Sequence, residues 1–178
     1  MTTKPKTHRN LDGYGTPAIE WDRVERQLNT TVPQAPGTGG PGRHTTWLTT
    51  LGPDGAPDVR PVGVVQHEGY WYFTSSAKTQ KWRNLAADGR CVLSLATEPF
   101  DLVLEGAATQ VTDTNELAGV ANVFAEGGWP ARVEGDALTA EFYAPSGGKP
   151  PYYLYRVEPT RVYAFGTAEP GGATRFDL

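Results

Sequence analysis

TSSAKTQKWRNL, Thr74 to Leu85, joins an aromatic strand, Tyr70–Phe73, to the start of a helix. Three hydroxyl residues, Thr74, Ser75 and Ser76, close the strand, and Lys78 and Lys81 follow. Unpaired backbone N–H groups at a helix start point outward, and the helix dipole favours an anion there. A lysine adds a compact positive charge. The segment therefore reads as a phosphate-binding corner. A second reading is equally physical: an ordinary N-cap with two solvated lysines. No GxxxxGK[ST] pattern is present, so the corner is not a P-loop.

Short strands surround this corner on both sides. TTWLTTL, from Thr45, is rich in β-branched residues. Pro53–Gly55 turns the chain into Val59–Gln66, which reads as the hairpin partner, and His67–Gly69 turns it again. The corner helix is expected over Lys78–Ala87. Cys91–Thr97 and Asp101–Asp113 read as further strands, with Gly106 marking a bulge or a close backbone approach. A second helix is expected from Thr114 to about Glu126, and a short one over Ala137–Tyr143. YYLYRVEP and TRVYAFGT read as two closing strands with a turn at Glu158-Pro159. The tail from Ala168 reads as irregular.

Upstream, residues 1–15 read as a loose arm. Thr16-Pro17 is a helix-start signal, giving a helix over Pro17–Leu28 with Ile19, Val24 and Leu28 buried. Pro33–Gly42 has a Gly/Pro density that neither helix nor sheet tolerates. Residues 1–42 thus form an arm, helix and linker, and residues 43–178 a barrel domain. The expected fold is β-rich (α+β): a small antiparallel barrel of six to seven strands with two to three flanking helices.

Composition narrows the function. The 178 residues carry 16 Lys+Arg against 20 Asp+Glu, a net charge of −4, which suits neither nucleic acid nor an anionic membrane. The single cysteine, Cys91, sits in an apolar strand and reads as an inert buried thiol. No apolar run approaches the ~20 residues that span a bilayer, and the polar N-terminus has no signal-peptide core. A cytoplasmic location is the expectation. His8, His44 and His67 have no metal-ligand spacing with one another, and no GxSxG elbow is present. His67 reads as a solvated turn residue. Glu105, in an apolar strand, requires a cationic partner.

Arg60, Pro61 and Val62 lie in the strand paired with TTWLTTL. Arg60 either faces a groove and meets a planar ring or serves as an edge-strand charge against sheet-to-sheet pairing. Trp82 reads as core, and Asn84 as a hydrogen-bonding support of its helix. Trp129, Arg132, Tyr143, Tyr152, Tyr153, Arg175 and Phe176 form a late aromatic and arginine population suited to a substrate pocket or a subunit interface.

Taken in order, these segments resemble the split β-barrel flavin and deazaflavin oxidoreductases, the pyridoxamine 5'-phosphate oxidase-like superfamily. The resemblance runs from about His44 to Asp113, through the DGAP turn, RPV, the aromatic strand, T-S-x-x-K-x-x-K-x-x-N-L, DGR, CVLSLA and LVLEGAA. The later segments WPARVEG, PPYYLYRVEP, YAFGT and GGATRF resemble an actinobacterial branch. The resemblance implies a homodimer with two cofactor sites at the subunit interface. It places Thr74, Ser75, Ser76, Lys78 and Lys81 at the cofactor phosphate, and Arg60, Pro61 and Val62 beside the flavin ring. Arg175 and Phe176 match a tail segment that reaches toward the partner's site. The implied activity is hydride transfer between coenzyme F-420, or FMN, and a small conjugated or quinone-like molecule. The alternative is a non-catalytic flavin or haem carrier or redox sensor. DVRPVGVV stands where pyridoxamine phosphate oxidases proper carry R-x-V-L-L-K, which argues against vitamin-cofactor synthesis.

Overall fold

The structure is a computed structural model that describes residues 4–30, 46–143 and 147–178. The segment Pro33–Gly42, His44 and Pro145 lie outside the described residues. The elements in chain order are β1 (Thr7–Asn10), α1 (Trp21–Leu28), β2 (Thr46–Leu51), β3 (Pro57–Pro61), β4 (Val64–His67) and β5 (Tyr70–Ser76). Then follow α2 (Gln80–Ala87), β6 (Arg90–Ala96), β7 (Phe100–Gln110), α3 (Thr114–Glu126), β8 (Arg132–Glu134), β9 (Ala137–Thr139), β10 (Tyr152–Gly166) and β11 (Ala173–Asp177).

Every strand pairing is antiparallel. One path runs β1-β11-β10-β7-β6-β2-β3, and β5 with β4 joins β10 beside it. The long strand β10 is the seam. Along one edge it pairs first with β5 through Tyr152–Val157 and then with β11 through Arg161–Phe165; along the other it pairs with β7. The sheet does not close, because β3 pairs with β2 while β4 pairs with β5. The chain crosses this split at Val62-Gly63, between β3 and β4. The architecture is a split barrel, with three flanking helices among the described residues.

Alternation along the strands builds the core. Leu93 and Leu95 of β6 and Leu102 and Leu104 of β7 face inward with Phe73 and Tyr155, whose rings stack at 5.3 Å. Trp21, Val24 and Leu28 of α1 pack on this core, and Trp21 meets Phe176 edge-on at 5.0 Å. A second cluster lies under α3, where Leu117, Val120 and Phe124 meet Tyr72, Leu138 and Leu154. Tyr72 donates to Glu116 at 2.8 Å, and Arg156 pairs with Glu116 at 3.1 Å, tying α3 to the sheet.

Several expectations change. α1 starts at Trp21 with Glu20 as its cap, so Thr16-Pro17 belongs to an extended approach; Asp12 already takes the Thr16 amide in a tight side-chain turn. The arm is not loose, because β1 pairs with β11, which in turn makes the tail a strand. Val59–Gln66 divides into β3 and β4. Ala137–Thr139 is a strand rather than a helix, since β8 offers it a ladder.

The expected turn at Glu158-Pro159 is a register shift within one continuous strand, β10. Proline lacks a donor, so it sits where the ladder is already interrupted. Opposite it, a Cβ on Gly106 would lie 2.8 Å from the Pro159 Cα, which accounts for glycine there. Glu105 pairs with Arg161 at 2.8 Å, but its side chain is half-exposed rather than buried. His67 is not freely solvated either: its ring lies against Gly119 of α3, where a Cβ would approach Nε2 to 2.6 Å. Cys91 is buried, and desolvation pushes its thiol up to about 12. Among the described residues, no helix is long and apolar enough to cross a membrane.

Candidate cofactor site

The corner that follows β5 is built from its own hydroxyls. Helix α2 starts at Gln80, two residues later than the spacing predicts, because Thr79 is the cap: its Oγ1 accepts from the Trp82 amide at 3.3 Å. The same hydroxyl donates to the Ser76 carbonyl at 2.9 Å and lies 2.6 Å from Ser75 Oγ. Ser75 is therefore buried and committed to the cap. Ser76 Oγ accepts the Lys78 amide at 3.3 Å and donates to no group among the described residues. Asn84, also buried, donates to Thr50 at 2.9 Å and accepts from Gln80 at 2.8 Å, fixing α2 on β2. Trp82 packs against the core.

This corner opens into a groove of about 440 Å³, within the range of about 300–1,000 Å³ usual for small-molecule sites. Pro61 to Val65, at the split between β3 and β4, form one wall. Thr74, Ser75, Ser76 and Lys81 contribute the polar lining, and Phe124, Trp129, Tyr143 and Tyr152 the aromatic lining, with Tyr152 directly opposite Ser76 in the β10–β5 register.

Of the residues singled out from the sequence, Pro61, Val62, Thr74, Ser75, Ser76 and Lys81 meet here. Arg60 and Lys78 do not line the groove. Arg60 lies on the edge strand β3, pairs with Asp58 at 2.7 Å and is largely exposed, which matches its edge-charge reading. Lys78 is exposed just before α2. Arg175 and Phe176 are also elsewhere: Arg175 binds Asp177 at 3.0 Å, and Phe176 is 1% exposed within this chain's own core.

From the late aromatic population, Trp129, Tyr143 and Tyr152 join the groove. Tyr153 instead faces Trp82, and Arg132 pairs with Glu141. Phe124, Gly63 and Val64 went unnoticed in the sequence. Phe124 could have been found as the last inward position of α3; the other two carry no local signal, since only the split in the sheet exposes them.

Electrostatically, Lys81 is the one charged side chain on the described lining. Burial pushes its pKa below the usual lysine value; the nearby Arg60 charge lowers it further, and Asp58 only partly offsets this. Among the described residues Lys81 has no ion pair or hydrogen bond. A desolvated cation without a partner costs free energy, and an anion arriving beside it would remove that cost. The Thr74 hydroxyl, half-buried and without a hydrogen bond among the described residues, lines the same groove. The residue set therefore fits an anionic group beside Lys81, Thr74 and Ser76, and a flat apolar body along Val62, Val64 and the aromatic wall.

Solved structures share this architecture. A conserved hypothetical protein of Mycobacterium tuberculosis is similar over 87% of this chain and 89% of its own, with 17% identity and a TM-score of 0.55. A heme binding protein from Mycobacterium smegmatis is similar over 73% of this chain and 52% of its own, with 17% identity and a TM-score of 0.53. A Listeria innocua protein gives 12% identity and a TM-score of 0.54 over 80% of this chain and 95% of its own. At such identities the likeness shows the fold alone. No curated protein matches the chain. The sequence itself goes further: residues 41–166 match the pyridoxamine 5'-phosphate oxidase family, and with the split barrel and the lysine-lined groove already in place, this chain belongs to that family.

Proposed function

We propose that this protein is a homodimeric oxidoreductase that binds F-420, with FMN as the close alternative, and reduces or oxidises a small conjugated or quinone-like molecule. The observation that carries the proposal is Lys81, a half-buried cation with no partner among the described residues, lining the same groove as the hydroxyls of Thr74 and Ser76. Both cofactors present a phosphate and a flavin-like tricycle, and the preference for F-420 rests on the resemblance of the later segments.

When bound, either cofactor supplies the hydride chemistry. The chain's part is positional. Lys81, Thr74 and Ser76 hold the anionic tail. Val62 and Val64 offer the ring an apolar wall, and Phe124 with Trp129 shields the groove from water. Ser75 acts through Thr79, holding the cap that aims the first turn of α2. No general acid or base is required of the protein for hydride transfer itself, which accords with a groove that lacks a carboxylate or imidazole among its described lining residues.

A second reading, a non-catalytic haem carrier, draws on the fold shared with the heme binding protein. The described lining holds no His, Cys or Met to ligate iron and leaves only the phenol of Tyr143 or Tyr152 for that role, so the flavin-type reading is placed first. Titration with FMN and with F-420, followed by fluorescence, tests both. A charge-assisted contact to phosphate is worth roughly 1.5–3 kcal/mol, so Lys81→Ala should raise the cofactor dissociation constant at least tenfold. Unchanged binding removes Lys81 from the site, and a Soret band in the purified protein selects the haem reading.

A further inference from the structure

Tyr152 is held from two sides. It stands opposite Ser76 in the β10–β5 register and opposite Leu138 in the β10–β9 register. It is buried, and its ring meets Trp129 edge-on at 5.5 Å. The phenol is thus a fixed post. Burial raises its pKa, with a smaller contribution from Tyr143, so the hydroxyl keeps its proton and remains a donor. It donates to the Gly148 carbonyl at 2.8 Å. Gly148 has φ +73°, a conformation that favours glycine, and a Cβ there would stand 3.7 Å from Ser76 Oγ. Its neighbour Gly147 lines the groove with Ser76 and Lys81. Lys149, next along the chain, is exposed and does not line the groove. The Gly147–Gly148 segment therefore brings main chain, and no side chain, to the groove beside Ser76.

We infer that Tyr152 is a positioning residue for the bound anion: its hydroxyl fastens the Gly147–Gly148 main chain beside Ser76, where that main chain meets an anionic group held by Lys81. Main-chain N–H groups suit an anion with several oxygens, and glycines let the backbone approach it closely. Lys81 supplies the charge, Ser76 a hydroxyl, and the glycine pair the main chain. The inference rests on the proposed cofactor reading. It adds to that reading a second element of the anion site, contributed by the segment before β10 rather than by the corner between β5 and α2.

FMN and riboflavin share a ring system and differ in the phosphate. Their dissociation constants are measured by fluorescence titration for the parent and for Tyr152→Phe, which keeps the ring and removes only the hydroxyl. Tyr152→Phe should weaken FMN by about fivefold or more and leave riboflavin within about twofold of the parent. Gly148→Ala keeps the hydroxyl but strains the segment at its positive φ. It should show the same split, and it carries the test if Tyr152→Phe does not fold. In the Lys81→Ala background the effect of Tyr152→Phe on FMN should shrink to less than about twofold, because both residues serve one anion. An equal loss of FMN and riboflavin means that Tyr152 supports the groove as a whole, and this overturns the inference. So does FMN affinity indifferent to both Tyr152→Phe and Gly148→Ala. If the parent binds F-420 and not FMN, the same comparison uses F-420 and its phosphate-free deazaflavin core. If the parent binds no flavin-type ligand, the cofactor reading fails, and phosphorus NMR of inorganic phosphate still reads the anion site. Line broadening by the parent that is lost in Tyr152→Phe upholds the inference; a sharp line with the parent, or equal broadening by both, overturns it.

Discussion

Lys81 is a partly buried cation with no partner among the described residues, and this makes it a proton-linked residue. Its folded pKa lies below the ordinary value of 10.5. Between those two values the unfolded chain binds more protons than the folded one, so stability without ligand rises with pH across that window. Binding has the opposite sign. A phosphate anion favours the ammonium, so cofactor affinity is full while Lys81 is protonated and falls as pH rises through its depressed pKa. FMN titrations from pH 8 upward should show the dissociation constant climbing before pH 10.5 is reached. In Lys81→Ala the same titration should be flat over that range. A parent protein whose affinity does not change there has its anion held by something other than this lysine. Asn84 shows what was readable at this scale: its role as a hydrogen-bonding support is what its bonds to Thr50 and Gln80 perform. The roles of Ser75 and Thr79 were not separable in the sequence, because nearby hydroxyls can each cap a helix, and only the bond from the Trp82 amide to Thr79 Oγ1 at 3.3 Å shows which one is the cap.

Elements whose signals are local were legible, and those set by distant partners were not. β2, β5, β6, β7 and α3 appear close to where alternation and caps place them. β1, β9 and β11 have weak patterns of their own and exist because a neighbour offers a ladder. The misread turn at Glu158-Pro159 is the clearest case. Glu-Pro is an ordinary turn signal, yet the chain runs straight through it, with the register shift taken up between Pro159 and Arg161. Gly106 pays for that continuity across the ladder. A Cβ on Gly106 would stand 2.8 Å from the Pro159 Cα and 2.9 Å from the Glu158 carbonyl carbon. Both are backbone atoms of the central strand and cannot swing aside. Gly106→Ala should therefore destabilise the protein by about 1–3 kcal/mol, the scale of overpacking in a tightly built site, measured by urea denaturation. Gly55→Ala provides the contrast: nothing lies within 4 Å of its Cβ, so its cost should be confined to the positive φ. A Gly106→Ala variant as stable as the parent would mean that β10 bends away from β7 at low cost.

For the whole molecule, the inner face of the barrel is filled while its outer face is not. The same alternation that turns Leu48, Leu93 and Leu104 inward turns Trp47, Val92 and Val103 outward. Trp47 and Val59 are 44% and 45% exposed, and a second groove of about 440 Å³ runs across this face past Thr49, Val92 and Glu105. An outward apolar face on a sheet is a surface that association would cover. The face is also continuous with the cofactor groove, because Trp47 stands opposite Pro61 in the β2–β3 register and Pro61 lines that groove. In the proposed homodimer, a second copy seated on Trp47 would therefore wall the groove as well as bury the sheet. Trp47→Glu places a charge at the centre of that contact while leaving the inner core untouched. Sedimentation equilibrium should show the parent chain as a dimer at tens of micromolar and the variant as a monomer, with little change in thermal midpoint. FMN affinity should fall with the dimer, because the groove then lacks its second wall. If the variant is monomeric and still binds FMN as the parent does, the groove is complete within one chain. If the parent is itself monomeric at that concentration, the outward face serves some purpose other than pairing.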